Sequence, residues 1–123
     1  MFVPKTFLKQ IYTNGSLANT DDGVRFELKN RLLDAKLTGV RRVAIGDRDV
    51  SLDGATLVLE DGRMLAPPDV SPNAPVPFDL GDVFVIRLRT ERLAPGTHPI
   101  VIEFDSEPFG RLTIEVEDAI AVG

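Results

Sequence analysis

The sequence contains no cysteine and no tryptophan, one tyrosine and a single histidine. Without cysteine, neither disulfides nor thiolate metal sites are possible, which suits a reducing compartment. With one histidine and no cysteine, nucleophilic catalysis would need His98 beside a serine. The chain offers no Gly-x-Ser-x-Gly elbow for that purpose. No Gly-rich stretch links a strand to a helix, so a phosphate loop is not expected. Positive charge is also in short supply. The net charge is -5, which argues against a nucleic-acid partner, because such a partner requires a basic face. No segment reaches the roughly 20 apolar residues of a membrane helix, and lysines interrupt the N-terminal MFVPKTFLKQIY, so no membrane partner and a cytoplasmic location are expected.

Alternation of apolar and polar residues dominates what is present. Val24, Phe26 and Leu28 fall on one face of GVRFELKNR, and Phe84, Ile86 and Leu88 on one face of VFVIRLR. HPIVIEF places Ile100, Ile102 and Phe104 inward, and RLTIEVE does the same with Leu112, Ile114 and Val116. Such strands are half-buried, packed on one side and solvated on the other. Asp22-Gly23, Asp53-Gly54, Asp61-Gly62 and Gly96 punctuate them at short intervals, as hairpins demand. The expectation is a single all-β domain over 1–123, an antiparallel β-sandwich of the immunoglobulin-like or Greek-key kind. LVLEDGRML, 57–65, reads as a hairpin closed by Asp61-Gly62. KTFLKQIY reads as either a short helix or a strand.

Residues 66–79, APPDVSPNAPVPFD, carry five prolines (67, 68, 72, 75 and 77) and are expected to form a stiff loop outside any ladder. This loop is either a bridge between sheets or a docking arm.

Few residues carry candidate chemistry. Glu103, Asp105 and Glu107 alternate along a strand end, as paired catalytic or metal-binding carboxylates do, but a solvent-facing strand reads the same way. Asp47–Gly54 begins like a calcium loop, yet Leu52 and Val58 stand where its glycine and bidentate glutamate belong. No metal ligand set is therefore expected in this chain. His98 follows LAPGT at the mouth of a strand. A ring there bonds back to the preceding loop in the manner of a tyrosine corner, so His98 is read as a structural corner.

The pattern of Ser16–Ile45, with Leu17-x-Asn19 and Gly23-x-x-Phe26, then PFDLGDVFVIRL and the Leu93 to Phe104 stretch, resembles the small β subunits of bacterial C-glycoside deglycosidases. Where members of that family often carry aromatics, this chain has LLDAKL. The resemblance implies an accessory subunit of a carbon–carbon lyase acting on 3-oxo-C-glycosides. That subunit would stabilise a barrel-fold α subunit and shape its active-site entrance, near an aromatic C-glycoside. The α subunit would hold a divalent metal of the Mn or Mg type and the catalytic residues, leaving this chain with no catalytic residue and no cofactor of its own. The residues expected to face the partner are Phe2, Phe7, Leu8, Ile11, Tyr12, Asn30, Arg31, Asp34, Pro75 and Phe78. The alternative is a stand-alone sandwich that binds protein or carbohydrate without catalysis.

Overall fold

In the computed structural model, residues 3–121 are described and form two antiparallel sheets facing one another. The chain enters through a single helical turn, α1 (Lys5–Leu8), continued by a 3-10 turn over Lys9–Ile11. Of the two readings open for this segment, the helical one holds. Leu8 and Ile11 are buried, so they anchor the turn against the sandwich.

The first sheet comprises β1 (Ala18–Thr20), β2 (Gly23–Lys29), β5 (Thr56–Val58), β6 (Met64–Leu65) and β8 (Val83–Arg89). The second comprises β3 (Ala35–Ile45), β4 (Arg48–Val50), β9 (Gly96–Glu107) and β10 (Gly110–Ile120), and β7 (Val76–Phe78) pairs with the start of β3. Strand order is β1-β2-β8-β5-β6 in one sheet and β10-β9-β3-β4 in the other. Apart from β6, the first order is the A-B-E-D sheet of an immunoglobulin sandwich, and the second is its G-F-C sheet with the extra strand of variable domains.

The inward positions read from alternation form the core. Val24, Phe26, Ile100 and Ile114 have no exposed surface, and Leu28, Phe84, Ile86, Leu88, Ile102, Phe104 and Leu112 are buried with them. Val116 packs against this cluster while partly exposed. Burying one such side chain contributes about 1.5–3 kcal/mol. Phe78 and Phe84 stack with ring centroids 4.3 Å apart, joining β7 to β8 across the two layers.

The proline-rich segment differs from expectation. Its prolines were expected to prevent ladder pairing, yet Val76–Phe78 pairs antiparallel with Ala35–Leu37, and Pro77 lies opposite Lys36. The pairing survives because β7 has β3 as its neighbour on one side only, and an edge strand tolerates a residue with no N–H to donate. Upstream, Pro67–Asp69 form a 3-10 turn. The Asp69 carboxylate accepts the Ala66 amide at 2.9 Å there.

Candidate functional site

One concavity is an apolar cleft of about 420 Å³. Three parts of the chain that are remote in sequence build its walls, and Phe78 of β7 lines it too. Phe7, Leu8 and Ile11 form one wall from the N-terminal turn, Leu32 and Leu33 form the second, and Phe104, Phe109 and Leu112 close the end of the β9–β10 hairpin. A short turn makes the second wall, and one side chain shapes that turn. Asn30 is buried, donates Nδ2–H to the carbonyls of Leu33 and Phe78, both at 2.6 Å, and accepts the Leu32 amide at 3.0 Å. These bonds satisfy both ends of the amide, as a buried polar side chain requires. They hold the turn with Leu33 facing outward.

Arg31 joins the two walls. Its guanidinium donates to the carbonyl of Gln10 at 2.6 Å and to Thr13 Oγ1 at 3.1 Å. Among the described residues, the only charged ones lining the cleft are Arg31 and Lys36, both cationic in a chain of net charge -5. Phe7 and Leu33 stand on the rim with 51% and 54% of their surface exposed. Exposed apolar side chains gathered at one concavity mark a binding surface, whereas scattered ones mean nothing.

The N-terminal wall is fastened by a contact that spans almost the whole sequence. The Tyr12 hydroxyl donates to Asp118 Oδ2 at 2.6 Å, and the amides of Gly15 and Leu17 donate to the same oxygen at 3.0 and 3.2 Å. Gly15 carries φ of 83°, the left-handed conformation that turns its amide in the Asn14-Gly15 bend toward β10. Burial pushes the Tyr12 hydroxyl well above its ordinary range, and the negative charge of Asp118 adds to this. Partial burial opposes ionisation of Asp118, but the Tyr12 hydroxyl and the amides of Ala119, Leu17 and Gly15 outweigh it and hold the carboxyl below its usual range.

A pH dependence follows from Tyr12. The unfolded tyrosine ionises near pH 10, whereas the folded one resists ionisation. The stability this group contributes is therefore complete below about pH 10 and falls as pH rises above it, by at most about 1.4 kcal/mol per pH unit. Urea titrations between pH 8 and 11 should show this alkaline loss, and Tyr12→Phe should flatten it. An equally steep loss in the Tyr12→Phe variant would assign the alkaline limb to other groups.

The residues expected to face a partner divide accordingly. Phe7, Leu8, Ile11, Asn30, Arg31 and Phe78 all line the cleft. Tyr12 is buried behind it, and Asp34 accepts the Leu80 amide at 2.7 Å outside it. Pro75 is exposed on the proline-rich segment, and Phe2 lies outside the described residues. Leu33 falls within the Asn30–Asp34 turn that was expected to face a partner, Asp118 reads in sequence as one more acid of a solvent-facing strand beside Glu115 and Glu117, and Phe109 carries no signal of its own.

The other candidates are engaged elsewhere. His98, near the start of β9, donates Nε2–H to the Ala94 carbonyl at 2.7 Å, across the corner that joins β8 to β9. Asp105 is clamped between Arg41 Nε at 2.6 Å and Arg111 Nε at 3.1 Å. Its partial burial opposes ionisation, but the two guanidinia prevail and hold its carboxyl below the usual range. Gly39 leaves room for that carboxylate, since a Cβ there would lie 3.1 Å from Asp105 Oδ2. Among the described residues no group of three or more His, Asp or Glu is placed to hold a metal ion, and no helix is long and apolar enough to cross a membrane.

A search among curated proteins gives no match. The family comparison overturns the resemblance to C-glycoside deglycosidase β subunits, and with it the lyase accessory role read from that resemblance. The barrel-type partner, its divalent metal and the aromatic C-glycoside rested on the same resemblance and lose that support. The motifs quoted for it are strand-and-turn patterns that many sandwiches share, whereas the matching family model takes in residues 7–121, nearly the whole chain. The chain belongs to the family described as hydroxymethylglutaryl-CoA reductase, N-terminal domain.

Proposed function

We propose that this domain is a docking module for a hydroxymethylglutaryl-CoA reductase-type polypeptide, and that its cleft seats an apolar segment of that polypeptide flanked by acidic residues. The observation that carries this reading is the rim, where Phe7 and Leu33 stand half exposed over an apolar floor. Arg31 and Lys36 supply the charge that complements an acidic flank. Membership of a family named for one domain of a reductase supports a partner of that kind. On this reading the reductase chemistry belongs to the partner, and this domain contributes binding.

The test is sedimentation velocity of this chain with the reductase catalytic polypeptide of the same genome. The wild type should form a complex that the Phe7→Asp/Leu33→Asp double variant weakens at least about 100-fold, the scale of two interface anchors lost together. Leu80→Asp changes a leucine that is 60% exposed away from the cleft and should bind like wild type. No complex at tens of micromolar, or equal binding by all three proteins, would refute the proposal. Saturable uptake of a small apolar fluorophore with no polypeptide bound would reassign the cleft to a small ligand.

A further inference from the structure

The outer face of the first sheet carries a charge arrangement that the cleft does not use. Alternation buries Val24 and Phe26 on β2 and Ile86 and Leu88 on β8, so Arg25 and Arg87 both point outward. The register makes them direct partners, Arg25 opposite Arg87, with Ala18 beyond Arg25 and Thr56 beyond Arg87. On one adjoining rung Gly23 faces Arg89, and on the other Glu27 faces Val85. Side chains paired this way have Cβ atoms about 4.5–5.5 Å apart, where like charges destabilise the sheet.

Two further facts show that this pair is left without compensation inside the domain. Among the described residues, neither Arg25 nor Arg87 has a carboxylate within ion-pair distance, and Arg89 reaches only Asp22, at 3.9 Å. Arg25 Nε is also buried and has no hydrogen-bond partner. An orphaned buried N–H is destabilising, more so when the group is charged. Other strands of this domain pair their arginines across the sheet with acids, as Arg41 and Arg111 do with Asp105.

We infer that Arg25 and Arg87 form a binding site for a phosphate-type dianion, with Arg89 and the Thr56 hydroxyl beside them. Two adjacent guanidinia match a charge of -2 and present donor forks that fit phosphoryl oxygens in pairs. A single carboxylate would neutralise only half of that charge. Inorganic phosphate and a phosphate carried on a small organic molecule share this chemistry.

Nitrogen-edited NMR of the arginine side chains tests the assignment at constant ionic strength. Phosphate should shift the guanidinium signals of Arg25 and Arg87 saturably at millimolar or lower concentration, whereas acetate or chloride at the same ionic strength should leave them nearly unmoved. Glucose 6-phosphate separates the two sources: matching affinity means that the phosphoryl group alone is read, and tighter binding means that the site takes an organic phosphate. Arg87→Gln should weaken the phosphate response at least tenfold. In phosphate-free buffer the same variant should melt at or above the wild-type temperature, since it removes the repulsion. Identical responses to phosphate, acetate and chloride, or an undiminished response in Arg87→Gln, would overturn the site. A drop in the melting temperature of Arg87→Gln without phosphate would show that the pair is already compensated, by Glu27 for example, and would overturn it equally.

Discussion

Gly23→Ala is expected to leave almost no folded protein, at a cost of about 4 kcal/mol or more. Gly23 opens β2 opposite Arg89, where β8 passes unusually close. A Cβ at this position would run into the carbonyl oxygen of Leu88 and would also lie 2.8 Å from the Thr90 nitrogen. Both obstacles are backbone, so no rotamer change relieves them. The strand pair must separate at its end, taking Val24 and Leu88 out of the core. Gly15→Ala is the control: open space surrounds its Cβ, but φ of 83° disfavours any side chain, so the loss should be only about 1 kcal/mol. Circular dichroism melts of both variants decide the matter. If Gly23→Ala melts like Gly15→Ala, the close approach of β2 and β8 is not as described.

Asp118→Ala should lower stability by about 3 kcal/mol, or roughly 10 °C in melting temperature. The substitution strips Tyr12 of its hydrogen-bond acceptor while the ring stays buried with 2% exposure, and it frees the Gly15 and Leu17 amides as well. A buried hydroxyl left without a partner accounts for much of the cost, because its desolvation is no longer repaid. Glu117→Ala, one residue away and exposed, should stay within about 0.5 kcal/mol of wild type. The effect should reach the cleft too. Tyr12 follows directly on the Lys9–Ile11 turn, so loss of Asp118 loosens the wall that carries Phe7 and Ile11. Weaker docking by Asp118→Ala at a temperature where it remains folded would show that coupling, and unaltered docking would show that the wall holds without Tyr12.

The contrast between Gly23 and Asp118 indicates how much of the molecule was legible in sequence. Strand faces were, because a period of two depends only on neighbouring residues, and Val24, Phe26, Ile100, Ile102 and Ile114 all lie where alternation puts them. The hairpin at Asp61-Gly62 was legible for the same local reason, and Gly62 carries φ of 89° there. The Tyr12–Asp118 bond was not, since its partners are 106 residues apart and meet only through the topology. Asp118 follows Glu115 and Glu117 in sequence and looks like one more acid of a solvated strand. Pro77 misled in the opposite direction, because a composition rule excluded a strand that an edge position permits. Most of the cleft's apolar members were visible singly as apolar residues, but its shape depends on bringing 3–11, 30–37, Phe78 and 104–112 together.

Amide hydrogen exchange on this chain, alone and with the reductase catalytic polypeptide added, tests the central claim most directly. If the cleft is the docking surface, protection should rise over Lys5–Ile11, over 31–37 and around Phe109–Leu112, while the His98 corner and the exposed 72–75 segment stay unchanged. Protection confined to the corner or to that segment, with the cleft amides unaffected, would contradict the account.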